Sequence, residues 1–295
     1  MCPKYDFGHV STSFFPIDLL HCNLCEMENV LIPTDFSENA WNAVEYAVNF
    51  FENSPCSFYI LHVCTDSKKK NRNLDEVHVS CQNQMHDIFH KIENDLPKNE
   101  KHKFFKIIDT GYVVGSVRQQ VEKNHIDFIV MGTKGASGIS KLPLGTNASN
   151  VITKVKCATV VVPENAKYSD LKEIAFPTDF LSMYSTETLQ SITNIVETHE
   201  ASARVIHIKN DETLLNEDQE KNKEILDDYL GQNKHSFHFL SNNQIETQVQ
   251  EFVEHRKINL ITMLAKNLSY FEKILFHPKN PDTKYYTDIP FLVLH

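Results

Sequence analysis

The sequence predicts an α/β protein built as two tandem copies of a five-stranded parallel open sheet with helices on both faces. Three observations carry this. Short apolar runs alternate with segments of helical length and periodicity. The runs are apolar throughout, as strands covered on both faces must be. The second half of the chain repeats the first, and 295 residues suit two domains.

Element by element, Val30-Leu31-Ile32-Pro33-Thr34-Asp35 reads as a buried strand ended by a turn. A helix from Glu38 to Phe51 follows, then a strand over Phe58–Val63 and a helix over Leu74–Leu96. Next come strand Phe104–Ile108, helix Val113–Asn124, strand Phe128–Met131, a glycine segment, helix Thr146–Val155 and strand Thr159–Val162. The plan restarts at Ile174-Ala175-Phe176-Pro177-Thr178-Asp179-Phe180, which copies Leu31-Ile32-Pro33-Thr34-Asp35-Phe36 at an offset of 144. Leu61-His62-Val63 has its counterpart in Ile206-His207-Ile208, and Val117–Gly135 aligns with Val249–Asn267 at an offset of 132. These matches divide the chain into a first domain over 27–165 and a degenerate second domain over 170–295, joined near Glu164–Lys172. Residues 1–26 have no counterpart before the second copy, so they are expected to be a dispensable leader, or Met27 the functional start. Within them Ser13–Leu20 is apolar but broken by Pro16 and Asp18, too short and polar to span a bilayer.

Composition narrows the function. With 29 basic and 39 acidic residues, and no basic cluster denser than Lys68, Lys69, Lys70 and Arg72, the chain offers no extended face for a nucleic-acid backbone. Seven cysteines at 2, 22, 25, 56, 64, 81 and 157 lack paired zinc-ribbon spacing, which fits a reducing cytoplasm. Cys22-Asn23-Leu24-Cys25 has metal or redox spacing but no second pair and no strand-to-helix setting. Neither nucleic acid nor a membrane is expected as a partner.

Glycine is scarce, and six of its eight positions, Gly111, Gly115, Gly132, Gly135, Gly138 and Gly145, fall between 111 and 145. Glycine is needed where a ligand must approach bare backbone, so this concentration marks the candidate site. Gly132-Thr133-Lys134-Gly135 follows a buried strand, and Gly145-Thr146-Asn147 opens a helix. An open parallel sheet binds ligands outside the carboxyl ends of its strands. There Gly132 and Gly135 can turn N–H groups toward a phosphate, and Gly145 with Thr146 sets a helix N-terminus and a hydroxyl against the same anion. Walker and dinucleotide spacings are both absent.

Gly-x2-Gly-x9-Gly-Thr after the fourth strand, in register with a first strand ending Pro-x-Asp and a second ending Leu-His-Val, resembles the ATP-binding branch of the universal stress protein family. The resemblance runs from Met27 to His295 as two copies. It implies that Asp35 holds the ribose and helps fix the adenine, that Val63 meets the adenine through its backbone, and that Gly132, Gly135, Gly145 and Thr146 cradle the phosphates. Pro33, Thr34, Met131 and Asn147 flank these and complete the expected nucleotide-binding set. ATP, with or without Mg2+, is the expected ligand. Plainer roles stand beside these. Asp35 can cap the helix near Glu38, Thr146 and Asn147 are good N-cap residues, Met131 and Met263 fill core space, and His62 and His207 are strand-end histidines.

The second copy has Leu264 and Asn267 where the first has Gly132 and Gly135, so one nucleotide per chain is expected, and Gly132→Leu is expected to abolish binding with the fold intact. Residues 166–295 carry 13 basic and 20 acidic groups, a poorer anion host than residues 1–165 with 16 and 19. The closing strands Thr159–Val162 and Phe291–Leu294 are apolar and would lie at sheet edges, which invites pairing. The family resemblance implies a dimer through last strands, here formed within one chain, with a further homodimer open. The expected function is a cytoplasmic stress-response protein that binds ATP in its first domain as a sensor or regulator. No residue is assigned to hydrolysis, although slow turnover is compatible with the site. The alternatives are a nucleotide-hydrolysing or adenylyl-transferring α/β enzyme, and an interaction module that binds no nucleotide.

Overall fold

The computed structural model describes residues 27–64, 74–133, 145–181, 184–209, 214–241, 245–267 and 288–295. The first half forms β1 (Glu28–Pro33), α1 (Glu38–Phe50), β2 (Cys56–Cys64), α2 (Leu74–Asp95), β3 (His102–Thr110), α3 (Val113–Lys123), β4 (Phe128–Gly132), α4 (Thr146–Lys154) and β5 (Ala158–Val162). The second half forms β6 (Glu173–Thr178), α5 (Thr186–Thr198), β7 (Ser202–Lys209), α6 (Glu217–Leu230), β8 (His235–Ser241), α7 (Ile245–Arg256), β9 (Leu260–Leu264) and β10 (Phe291–Leu294), with a short 3-10 turn at Ala265–Asn267.

All ten strands belong to one sheet ordered β3-β2-β1-β4-β5-β10-β9-β6-β7-β8. The order 3-2-1-4-5 recurs as 8-7-6-9-10, so each half is the same doubly wound sheet. Every pairing is parallel except one. Period-two alternation explains the two layers. Val30 and Ile32 of β1 face a core shared with Trp41, Val44 and Ala47 of α1 and Met85 of α2. Leu31 faces the opposite core with Val117 of α3 and Val151 and Ile152 of α4. Both faces of β1 are shut off from water, which is why its sequence is a continuous apolar run.

The exceptional pairing is β5 with β10, antiparallel, with Phe291 opposite Val161 and Leu292 opposite Val160. The apolar closing strands, each at the edge of its own half, therefore meet at the centre of the joined sheet and connect the two halves. The edges are β3 and β8. A linker from Pro163 onward is held against α1: Asn42 Nδ2 donates to the carbonyls of Pro163 and Ala166, and Lys167 Nζ donates to Asn42 Oδ1. Tyr168 meets Tyr46 edge-on. No described helix is long and apolar enough to cross a membrane.

Candidate functional site

The site set converges on one end of the first half. Strands β2, β1 and β4 are neighbours, so their carboxyl ends bring Val63, Pro33–Thr34–Asp35 and Gly132 side by side. Between β1 and β4 the chain order reverses direction across the sheet, and such a switch point opens a crevice for ligands. Thr34 is tied down on three sides. Its N–H donates to the Leu61 carbonyl at 2.8 Å, its own carbonyl accepts from His62 Nδ1 at 2.8 Å, and its Oγ1 accepts from the Phe36 N–H. Asp35 Oδ1 accepts from the Ser37 N–H, closing a turn in which Phe36 takes a left-handed φ of 67°. The Phe36 ring then stacks on His62 with centroids 4.2 Å apart.

These contacts settle one alternative. Asp35 does not cap α1, because the cap is Ser37, whose side chain accepts from the Ala40 N–H. His62 is half-buried, and desolvation holds its pKa below the ordinary imidazole value against the opposing pull of the Thr34 carbonyl and Asp35. A neutral ring that donates from Nδ1 keeps its lone pair on Nε2.

The glycine positions divide. Gly132 lies in β4 opposite Val162, with no left-handed backbone, and a Cβ there would come within 2.8 Å of the Asn39 side chain and 3.0 Å of the Asn39 carbonyl. The first turn of α1 lies directly on this residue, so packing alone already requires glycine. The expectation that Gly132→Leu leaves the fold intact fails for that reason. Gly145 is the N-cap of α4 and supplies no side-chain cap, and no acidic residue stands in the first turn. Thr146 and Asn147 are therefore the first two helical residues rather than caps, and both are exposed. The Gly145 N–H donates to the Thr133 carbonyl, which fastens α4 to the end of β4. Met131 and Val63 are buried in the core with Leu61 and Ile129. Gly135, Gly138 and Lys134 lie outside the described residues.

This arrangement fits a phosphate-bearing ligand at the start of α4, whose first N–H groups have no side-chain cap and whose dipole favours an anion. Among the described helices, α1, α5 and α6 carry side-chain caps, at Ser37, Ser185 and Asn216, whereas α3, in the same layer as α4, starts at Tyr112 without one.

The second half repeats the strand-end turn. Thr178 Oγ1 accepts from the Phe180 N–H, Asp179 Oδ1 from the Leu181 N–H, and His207 Nδ1 donates to the Thr178 carbonyl while stacking on Phe180. The crevice itself differs. Helix α5 begins at Thr186, four residues later than the offset of the strands would place it, and the longer connection inserts Tyr184, hydrogen-bonded to Thr178 Oγ1. Leu264 is buried in the place of Gly132. Side chains of α6 also reach the turn, Gln219 donating to the Asp179 carbonyl and Asn222 to the Phe180 carbonyl.

Sequence reasoning missed Asn39, Phe36 and the thiols Cys64 and Cys81, which come within reach of His62. The spacing His62-x-Cys64 on a strand was the one available signal, since it puts both on one face.

Comparison with known proteins agrees with this architecture. Residues 26–163 match the model of the Universal stress protein family. The chain is 26% identical over 152 residues to the universal stress protein MJ0577 of Methanocaldococcus jannaschii, covering 46% of this chain and 94% of that protein. A second protein of that organism, universal stress protein MJ0531, is 23% identical over 144 residues, covering 48% of this chain and 84% of its own length. The crystal structure of a universal stress protein from Archaeoglobus fulgidus superposes on 90% of this chain and 95% of its own, with a TM-score of 0.67 and 19% identity.

Proposed function

We propose that this chain is a tandem universal stress protein whose first domain, residues 27–165, binds one adenine nucleotide at the carboxyl ends of β1, β2 and β4. The domain acts as a sensor or regulator in the cytoplasm, and residues 170–295 form a second domain that keeps the fold and not the site. The observation that supports the reading is the start of α4, where Gly145 gives no side-chain cap and its N–H fastens the helix to the Thr133 carbonyl beside the switch point.

In this reading the phosphates meet the backbone of Gly145, Thr146 and Asn147, with Gly135 from the preceding loop. Asp35 turns its second carboxylate oxygen toward the ribose, and Val63 offers backbone to the adenine. Pro33, Thr34, Met131 and Gly132 form the floor. ATP is the expected nucleotide, and Mg2+ would accompany its phosphates. Binding is the function assigned to the site, and slow hydrolysis is compatible with it.

Isothermal calorimetry of the whole chain with ATP, ADP, AMP and cyclic AMP tests it, with one site per chain expected. The matching variant is Asn147→Asp, at an exposed position in the first turn of α4. A carboxylate there suits the helix dipole and keeps the fold, yet repels a bound phosphate. ATP affinity should fall by about tenfold or more, the weight of one unfavourable charge near a protein surface. Unchanged affinity removes α4 from the site, and two equivalent sites per chain overturn the asymmetry.

A further inference from the structure

His62 and Cys64 stand two apart on β2 and so share a face of the sheet, the face that α2 covers. The buried stripe of α2 runs through Cys81, Met85, Ile88 and Ile92, which aims Cys81 at that strand. One ligand atom from each of His62, Cys64 and Cys81 lies within 4.8 Å of the other two. We propose that these three residues form a binding site for a zinc-class divalent cation, with two thiolates and one imidazole as protein ligands and a fourth tetrahedral position for water or another donor.

The donor set matches the chemistry. Two sulfurs and one ring nitrogen suit a borderline-soft d10 ion, and three protein ligands with one open position are a known zinc arrangement. In a tetrahedron with metal–sulfur bonds of about 2.3 Å the sulfurs stand roughly 3.8 Å apart, so a rotamer adjustment of about 1 Å closes the set. The imidazole is already oriented. Its Nδ1 hydrogen is held by the Thr34 carbonyl, the kind of outer contact that fixes a metal-binding histidine and presents Nε2. Binding expels one proton from each thiol to solvent, and both sulfurs then ligate as thiolates.

Another buried thiol of the first half is engaged elsewhere. Cys157 spends its S–H on the carbonyls of Ile126 and Asp127. Cys64 instead lies against Cys81, and burial followed by that contact raises the pKa of its thiol. The second half supplies an internal control. His207 makes the same bond to its threonine carbonyl, but Lys209 stands two residues on. Asn222 sits four residues before the buried Leu226, as Cys81 sits four before Met85, and its amide is used by Phe180. The histidine geometry thus belongs to both strand ends, and the thiols have been added to one. This inference does not depend on nucleotide binding.

The test is titration of the reduced, nucleotide-free full chain with Co2+ as the optical probe, followed by displacement with Zn2+. One equivalent should produce thiolate-to-cobalt charge transfer and intense tetrahedral ligand-field bands, bleached by Zn2+. Cys81→Ser and Cys64→Ala should each weaken binding roughly 100-fold, whereas Cys157→Ala and the double variant Cys22→Ala/Cys25→Ala should leave it unchanged. Bands that vanish with the Cys22–Cys25 pair, or an octahedral spectrum without charge transfer, overturn the proposal. X-ray absorption of the Zn2+-loaded wild-type chain needs no variant: two sulfurs in the shell are expected, and a shell of only nitrogen and oxygen overturns it.

Discussion

The two halves share a strand order, a Thr-Asp-Phe turn and a histidine that locks it, yet the residues set around that turn differ. At the turn they are nearly superimposable in chemistry. Both place phenylalanine in the left-handed region, φ 67° at Phe36 and 55° at Phe180, and both stack that ring on a histidine. A left-handed phenylalanine costs on the order of 1 kcal/mol, so the turn survives in the second half because it closes the strand, without any ligand. What separates the halves lies around it: Gly132 against Leu264, a short connection to α1 against a longer one carrying Tyr184, and the hydrogen bonds of Gln219 and Asn222 from α6 to the turn of the second half. Features common to both halves therefore report on folding, and features confined to the first are where the proposed site is to be tested.

Exchanging the residues at the fourth strand end breaks this comparison most severely. Leu264→Gly empties a buried site and should cost about 4 kcal/mol, read as a lower urea midpoint at unchanged slope. It should not create a second nucleotide site, because Tyr184 and Gln219 still engage the strand-end turn; calorimetry showing two sites would sink that account. In the reverse direction, Gly132→Leu drives a side chain into the backbone of Asn39 and should cost about 1–3 kcal/mol. Loss of nucleotide binding in that variant reports a shifted α1 as much as a blocked phosphate, which is why Asn147→Asp is the cleaner probe.

The sequence showed the strands and the repeat because a parallel strand buried on both faces has to be a continuous apolar run, and Val30-Leu31-Ile32 and Val160-Val161-Val162 are such runs. It also showed that β5 and β10 seek a partner, and the family resemblance pointed to their meeting each other within one chain, as they do. The approach of Asn39 to Gly132 was hidden because it joins residues 93 positions apart across two elements. For the same reason Cys64 and Cys81 gave no local sign of meeting. The register slip at α5 escaped because the matching Pro-Thr-Asp turns fix the strands and say nothing about where the next helix starts. Asp35 as a helix cap was a reasonable expectation from its position, and it lost to Ser37, two residues nearer the first free N–H groups.

Treating the halves as one folding unit can be sharpened through His199, which ends α5 and packs on Phe50 of α1 with ring centroids 4.8 Å apart. Burial, reinforced by Lys172 and opposed by Asp170, lowers its pKa to about 4. A depressed imidazole pKa leaves stability intact above the unfolded value near 6.5, and stability is lost as pH falls from there through 4, by up to about 3 kcal/mol. His62, His102, His238 and His295 are shifted in the same direction by burial and add to the trend. His199→Phe should flatten this acid dependence while keeping the contact with Phe50. Wild-type unfolding at pH 5 should remain a single transition, and separate melting of the halves would show that the junction at β5 and β10 does not couple them.

The smallest expected effect separates structure from function at Asp35. Asn retains the side-chain oxygen that accepts from the N–H two residues on, so both Asp35→Asn and Asp179→Asn keep their turns. Each should change stability by about 0.5 kcal/mol or less, in the range of ordinary surface substitutions. Asp35→Ala and Asp179→Ala remove the acceptor and should each cost about 1 kcal/mol, equally in the two halves. Nucleotide affinity should divide the four variants differently. If the Asp35 carboxylate binds the ribose, the loss of charge in Asp35→Asn weakens a charge-assisted hydrogen bond, and affinity drops several-fold with the fold untouched. Neither substitution at Asp179 should alter it. Equal affinity in Asp35→Asn and wild type would assign Asp35 to the turn alone, making it as structural in the first half as Asp179 is in the second.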